Sequence, residues 1–217
     1  MKENNLIQAT KSFVKKTLEN AEGGHDWFHT LRVYNNALLI AQSEEVDAQV
    51  VALSALLHDI ADSKFNDGDE SIGPTLAKTF LNSKAVNSET TDHVIKIIEN
   101  MSFKNSLDSE NKFSSKELEV VQDADRLDAI GAIGIARAFN YGGFKNRKLY
   151  DPEIKPNLNL SKEAYKKSMA PTINHFYEKL LLLKDKMNTK TGQVLAKERH
   201  DFMLQYLDHF YKEWGGS

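Results

Sequence analysis

Apolar residues recur along most of the chain at spacings of three and four, the period of a helix that buries one face. The pattern predicts helical segments at Leu6–Leu18, Trp27–Ala41, Val46–Asp59, Gly73–Leu81, Thr90–Met101, Ser115–Asn140, Lys162–Lys186 and Gln193–Trp214. No stretch alternates apolar and polar residues convincingly, as a half-buried strand would. The sequence therefore predicts an all-α fold.

Prolines and glycines predict where the helical pattern is interrupted. Three of the four prolines lie in YDPEIKPNLNLSKEAYKKSMAP, which cannot be helical throughout because proline lacks a backbone N–H group. Tyr141–Lys148, YGGFKNRK, is predicted to be a glycine-hinged loop that carries three basic residues and acts as a mobile flap. We expect one domain, 1–217, with a helical core at about 20–140, a flexible connector at about 141–161 and a C-terminal helical pair at about 162–214.

Composition excludes several classes of protein. The net charge is −3 and no basic block suits the wrapping of a nucleic acid. Cysteine is absent, which excludes disulfides, thiolate metal ligands and cysteine nucleophiles. No apolar run is long enough to cross a bilayer, and the N-terminus lacks the apolar core of a signal peptide. We therefore expect a cytoplasmic protein that binds neither nucleic acid polymers nor membranes.

Two short stretches contain the first candidate residues. GHDWFHTLRV contains His25 and His29, which would share a helix face if the helix began before His25. The preceding glycines, however, indicate that His25 lies at or before the first turn. LLHDI places His58 and Asp59 at the end of an apolar helix, where a carboxylate is costly to bury unless a cation compensates its charge.

A third stretch, VVQDADRLDAIGAIG, places acids among apolar residues. Asp125 and Asp128 share a helix face, whereas Asp123 points elsewhere. Two imidazoles and two carboxylates from three helices would form a mixed nitrogen and oxygen site that suits a divalent metal. Taken singly, such histidines are more often structural and such an aspartate is more often a cap or a salt-bridge partner. Their combination in this order favours a metal site.

The order of these residues resembles the H…HD…D signature of the HD-domain superfamily of metal-dependent phosphohydrolases. The stretches that extend this resemblance are HDWFHTLRVYNNA, ALLHDIADSKF, DADRLDAIGAIGIARAF and NHFYEKLLLL. In these stretches the chain is similar to the small stand-alone bacterial HD hydrolases, some of which are nucleotide pyrophosphohydrolases. The resemblance covers most of residues 20–214 and implies an HD-domain helical bundle with a C-terminal helical extension.

The resemblance also implies the ligands of one divalent metal ion, and these are His29, His58, Asp59 and Asp125. Mn²⁺ is the first choice, with Mg²⁺, Co²⁺, Ni²⁺, Fe²⁺ or Zn²⁺ as alternatives. Binuclear HD enzymes need further histidines between the HD pair and the last aspartate. Only His93 occurs there, so we expect a mononuclear site.

Other residues are assigned roles around the metal. HDIADS parallels the HDxxED stretch of alarmone hydrolases, which implies that Asp62 positions the attacking water. Ser63 replaces the second acid of that stretch, so the alarmone is not assumed to be the substrate. Lys64 and Arg32 are predicted to offset phosphate charge.

Three further residues are predicted to bind substrate. His25 is placed near a substrate phosphate, with a structural role as the alternative. Lys145 and Arg147 are expected to contribute when the flap closes, with an ordinary solvated loop as the alternative. The aromatic residues of the C-terminal helices are interpreted as core or as the face of a homodimer.

The resulting hypothesis is an enzyme that hydrolyses nucleoside or deoxynucleoside triphosphates to monophosphate and pyrophosphate with a metal-activated water. One alternative is a 5′-nucleotidase-like phosphomonoesterase, which would release orthophosphate. Another is a nucleotide-binding sensor without turnover, and a third is a scaffold that binds no metal.

Overall fold

The computed structural model describes residues 5–19, 21, 24–61, 69, 71–101, 113–159 and 168–216. Within these ranges the regular structure is helical and no strand occurs, which confirms the predicted all-α fold. The α-helices are α1 (Asn5–Thr17), α2 (Trp27–Ala41), α3 (Ala48–Leu57), α4 (Ile72–Ser83), α5 (Ser88–Glu99), α6 (Lys116–Asp128), α7 (Gly131–Phe144), α8 (Thr172–Glu178) and α9 (Lys190–Gly215). A 3₁₀ helix, Leu180–Lys186, lies between α8 and α9.

The chain divides into two compact units, Met1–Asp125 and Arg126–Ser217, called here the first and the second unit. The prediction of one domain with a connector at about 141–161 stays a prediction. No helix within the described ranges is both long and apolar enough to cross a membrane.

Helix α3 is the central helix of the first unit. Its residues from Val50 to Leu57 are all buried, as expected for a helix that is apolar on every side. Helices α1, α2 and α5 pack against it. Asp47 caps its N-terminus, because the side chain accepts hydrogen bonds from the backbone N–H groups of Gln49 and Val50. The C-terminal end of this buried helix leads directly to His58 and Asp59.

The predicted bounds of α1 to α5 are confirmed to within two residues at each end. The single helix predicted over Ser115–Asn140 is wrong, because α6 ends at Asp128 and α7 begins at Gly131. Gly131 has a φ of 74°, a left-handed conformation that glycine adopts at little cost. A Cβ atom there would also lie 3.0 Å from the side chain of Arg199, so both conformation and packing require glycine.

The glycine-hinged loop predicted over Tyr141–Lys148 is wrong for its first four residues, which form the end of α7. Gly142 is buried, and a Cβ atom at this position would overlap Oγ1 of Thr172. The missing side chain therefore allows close packing of α7 against α8 and does not act as a hinge. The flap hypothesis retains only 145–148.

The helix predicted over Lys162–Lys186 is wrong in its described part. α8 begins only after Pro171, because a proline disfavours the helical conformation in the residue that precedes it. A second interruption follows at Lys179, whose φ of −143° and ψ of −57° are not helical. The helix predicted over Gln193–Trp214 is confirmed as α9 and extends slightly beyond both predicted ends.

Candidate metal centre

The segment that precedes α2 explains why two histidines lie four residues apart. Asp26 is the N-cap of α2, and its Oδ1 accepts a hydrogen bond of 2.8 Å from the backbone N–H of His29. His25 therefore lies outside the helix, as the glycines before it indicate, and His29 lies within the first turn. The two rings meet edge to face with centroids 5.8 Å apart. The side chain of His29 is only 2% exposed.

His58 is the C-cap residue of α3 and is held by that helix. Its Nδ1 lies 2.9 Å from the carbonyl oxygen of Ala55, in the last turn, where carbonyls lack intrahelical partners. When Nδ1–H donates to this carbonyl, Nε2 presents a lone pair to a metal. This arrangement is typical of histidine ligands in metal sites.

Asp125 reaches the same place from α6. Asn36 of α2 donates a side-chain hydrogen bond of 3.4 Å to the carbonyl oxygen of Ala124, which ties these two helices together. Oδ1 of Asp125 then lies 3.5 Å from Nε2 of His29 and 4.0 Å from Nε2 of His58. The two imidazoles are almost fully buried, whereas Asp125 is 44% exposed, so the cluster has a buried side and an open side.

The spacing of these atoms fits donors that share one ion. Two donors bound at about 2.1 Å lie about 3.0 Å apart at a right angle and about 4.2 Å apart when opposite. The distances from His29 Nε2 to Asp125 Oδ1 and to Asp59 Oδ2, 3.5 and 3.9 Å, both fall in this range. An ion could therefore be bound with little rearrangement of the side chains.

Two groups of three potential ligands overlap at His29. One group is His29, His58 and Asp125; the other is His25, His29 and Asp59, and within each group the donor atoms lie within 4.8 Å of one another. Nε2 of His29 faces a carboxylate in both groups, and one nitrogen binds one ion, so we interpret the groups as a single centre. Together they contain the four predicted ligands and add His25. The ligand roles themselves stay a prediction.

Asp59 is in the state that a cation requires. Burial is the largest influence on the pKa of Asp59 and raises it, but the hydrogen bond with His25 and the nearby charges of His58, His25 and His29 lower it. The net effect holds the pKa of Asp59 below its ordinary value. The side chain is therefore a carboxylate at neutral pH.

The remaining acids and histidines in this part of the sequence have other contacts. Asp123 is fully buried, and Asp128 in the second unit accepts a hydrogen bond of 2.7 Å from Arg137. His93 lies 3.1 Å from the hydroxyl of Ser115 and belongs to neither group. Of the three acids in DADRLD, Asp125 alone belongs to the described donor groups.

The other predicted site residues are only partly placed. Arg32 follows His29 by one turn on α2 and is partly buried. Asp62 and Lys64 lie outside the described residues. In the second unit, Lys145 lies 5.0 Å from the ring centroid of Phe144, and Arg147 donates a hydrogen bond of 2.7 Å to the carbonyl oxygen of Ser168. Their roles at the substrate stay predictions.

Sequence reasoning missed the contact between His25 and Asp59. Nδ1 of His25 lies 2.5 Å from Oδ2 of Asp59, although the residues are 34 positions apart in the chain. The only signal in the sequence was the position of His25 beside the helix-capping Asp26. Periodicity cannot pair residues from different elements.

Comparison with known proteins identifies the family. A model of the HD domain family matches residues 27–130, a range that contains all four predicted ligands. YpgQ of Bacillus subtilis (strain 168) is 39% identical over 218 residues, which cover 100% of this chain and 97% of YpgQ. The chain belongs to the HD-domain family.

Solved structures agree with this assignment. A Lactobacillus plantarum protein has a TM-score of 0.80 and 36% identity, with 100% of both chains covered. An HD-superfamily hydrolase of Bacillus thuringiensis has a TM-score of 0.78 and 41% identity, with 97% of both chains covered. YpgQ in complex with ADP has a TM-score of 0.73 and 37% identity, covering 96% of this chain and 94% of that one. The fold and the family are those of HD-superfamily hydrolases.

Proposed function

We propose that this protein is a metal-dependent phosphohydrolase that cleaves nucleoside or deoxynucleoside triphosphates to monophosphate and pyrophosphate. The observation that carries the proposal is the approach of carboxylates from α6 and from the end of α3 to one buried imidazole, that of His29. The crystal structure of the relative YpgQ contains ADP, which supports a nucleotide as the ligand of this chain as well.

The chemistry of the donors fits one divalent ion. Two imidazole nitrogens and two carboxylate oxygens form a borderline donor set, which suits first-row metals, and Mn²⁺ is our proposal for this site. The residues that would hold it are His29, His58, Asp59 and Asp125. When bound, such an ion supplies a hydroxide at neutral pH, because it lowers the pKa of water from about 15.7 towards about 7.

The residues of this chain have distinct tasks in the proposed reaction. The bond from His58 Nδ1 to the carbonyl of Ala55 orients that imidazole, and the cap by Asp26 fixes the turn that carries His29. The exposure of Asp125 leaves an open side from which substrate phosphates can approach. Asp62 is proposed to orient the water.

The cationic residues complete the proposal. Arg32 and Lys64 are proposed to neutralise charge that develops on the phosphate oxygens. Lys145 and Arg147 are proposed to bind the substrate. Phosphoryl transfer depends mainly on positioning and charge neutralisation, so such residues account for much of the expected catalysis.

A turnover assay with separate detection of the two products tests the function. Chelator-treated protein is reloaded with Mn²⁺ and incubated with a panel of nucleotides, and pyrophosphate and orthophosphate are measured independently. We expect pyrophosphate and monophosphate from triphosphates, with no turnover by His29→Ala. His93→Ala is the matched control, because His93 is a histidine outside both donor groups; it should retain activity.

Each other outcome assigns a different function. Orthophosphate alone would identify a phosphomonoesterase. Saturable nucleotide binding without either product would identify a sensor. Neither binding nor release, in a protein that also purifies without metal, would identify a scaffold.

Location and assembly belong to the same proposal. We propose a small nucleotide as the partner and the cytoplasm as the location. A homodimer is supported by large apolar side chains exposed on the second unit, namely Phe144, Leu149 and Trp214. Light scattering coupled to size-exclusion chromatography would show a monomer mass if this assembly is wrong.

A further inference from the structure

The contact between His25 and Asp59 lies beside the predicted ligand set. His25 precedes the N-cap of α2, and Asp59 follows the C-cap of α3. We propose that His25 is a positioning residue, whose Nδ1–H group holds Oδ2 of Asp59 so that this carboxylate is fixed as a metal ligand. The inference rests on the proposed metal site and extends it, because the ligand signature of the family does not include this histidine.

The length of the contact favours a hydrogen bond over shared coordination. His25 Nδ1 and Asp59 Oδ2 are 2.5 Å apart, whereas two donors on one ion would be about 3.0 Å apart or more. At 2.5 Å, two unprotonated lone pairs would repel each other, so a proton must lie between the atoms. In the proposed bond, Nδ1–H of His25 is the donor and Oδ2 of Asp59 is the acceptor.

The same carboxylate oxygen of Asp59 lies farther from the second histidine, His29. Oδ2 of Asp59 lies 3.9 Å from Nε2 of His29, within the range for two ligands of one ion. The carboxylate thus faces one histidine at hydrogen-bonding distance and another at ligand distance. This asymmetry assigns different tasks to His25 and His29.

Two adjacent residues, His25 and Asp26, each hold one proposed metal ligand. Oδ1 of Asp26 accepts a hydrogen bond from the backbone N–H of His29, and Nδ1 of His25 bonds Oδ2 of Asp59. The His25 side chain is 33% exposed and that of Asp59 is 17% exposed, so the bond is partly shielded from water. Hydrogen bonds to an ionised group are stronger than neutral ones, and outer partners of this kind change metal affinity by about 10–100-fold.

Two substitutions separate the hydrogen bond from the ring. His25→Ala removes the donor, whereas His25→Asn retains an amide N–H near the position of Nδ1. Titration calorimetry with Mn²⁺ on the chelator-treated full chain, without nucleotide, should show affinity weakened about 10–100-fold in His25→Ala. His25→Asn should restore most of the native affinity. His93→Ala is again the control and should bind Mn²⁺ like the native protein.

The number of imidazoles bound to Mn²⁺, measured by spectroscopy, tests the alternative that His25 is itself a ligand. Electron spin-echo envelope modulation of the Mn²⁺ complex should show two bound imidazoles, from His29 and His58, in both the native protein and His25→Ala. Three imidazoles in the native protein and two in His25→Ala would make His25 a ligand and overturn the inference. Circular dichroism checks that both variants fold. If His25→Ala does not fold, the Mn²⁺ affinity of His25→Asn, compared with that of the native protein, still tests the inference.

The remaining outcomes separate this inference from the proposed function. Unchanged Mn²⁺ affinity in His25→Ala overturns it, and a raised KM in that variant would instead support contact with the substrate phosphate. Failure of the native protein to hydrolyse any nucleotide would overturn the proposed function but not the inference, because the metal titration contains no nucleotide.

Discussion

The two units surround their carboxylates with different partners. In the first unit, Asp59 and Asp125 face imidazoles, which can be neutral and can bind a metal. In the second unit, Asp128 is 1% exposed and pairs with the guanidinium of Arg137, which cannot bind a metal and is always charged. A carboxylate paired with arginine is already neutralised, whereas carboxylates gathered around histidines can accept a cation.

Histidines show the same contrast. His29 and His58 of the first unit lie beside carboxylates, with which they can share a cation. His175 in the second unit is largely buried, and its pKa is lowered to about 4 by burial, by the charge of Lys179 and by the charge of Arg147. The chemical surroundings of a histidine or an aspartate, more than its burial, therefore distinguish a site residue from a structural one.

The largest expected effect is the loss of metal binding in His58→Ala. Removal of a ligand should weaken Mn²⁺ binding by more than the about 10–100-fold expected for an outer partner. The metal-free protein should lose about 1–2 kcal/mol of unfolding free energy, because the hydrogen bond to Ala55 and the ring contact with His29 are removed. Calorimetric titration and denaturant unfolding measure the two quantities. A large loss of stability without metal would make His58 structural.

Asp128→Ala should give the reverse result. Arg137 would stay partly buried but lose the carboxylate that faces its guanidinium, which should cost about 2–3 kcal/mol of unfolding free energy. Mn²⁺ affinity should be unchanged. Asp208→Ala is the matched control, because Asp208 pairs with Lys212 at 2.6 Å on the exposed surface of α9, where little stability is at stake. Equal destabilisation by both substitutions would contradict the distinction between these ion pairs.

The helices of the first unit could be predicted from the sequence because local signals coincide there. Asp26 and Asp47 cap α2 and α3, and the apolar period continues from each cap. The proposed metal ligands were found through an ordered motif. In both cases the information lies within a short stretch of chain.

The errors arose where distant residues decide the local structure. The break at Gly131 accommodates the side chain of Arg199, and Gly142 makes room for Thr172. Neither partner is near in sequence, so the predicted helix was continued through Gly131 and Gly142 was interpreted as part of a hinge. The bond between His25 and Asp59 was missed for the same reason.

A pH titration should sharpen the contrast between the histidines. His175 has an ordinary pKa of 6.5 when unfolded and about 4 when folded, so the unfolded chain binds the extra proton between these values. Stability is therefore complete above about pH 6.5 and falls as the pH decreases towards about 4, by about 2–3 kcal/mol. Denaturant unfolding at several pH values measures this loss. His175→Gln should remove that part of the slope, and a profile identical to the native one would contradict the assignment.

The smallest effect should follow from removal of the two helix caps. Both caps stabilise a helix, but only one of them holds the backbone of a proposed metal ligand. Asp26→Ala and Asp47→Ala each remove a side-chain acceptor at a helix N-terminus, so each should cost about 1 kcal/mol of unfolding free energy. Only Asp26 accepts its bond from the backbone of a proposed ligand, His29. Asp26→Ala should therefore also weaken Mn²⁺ binding a few-fold, whereas Asp47→Ala should not. Equal Mn²⁺ affinities in the two variants would mean that the cap stabilises α2 without orienting the imidazole that it carries.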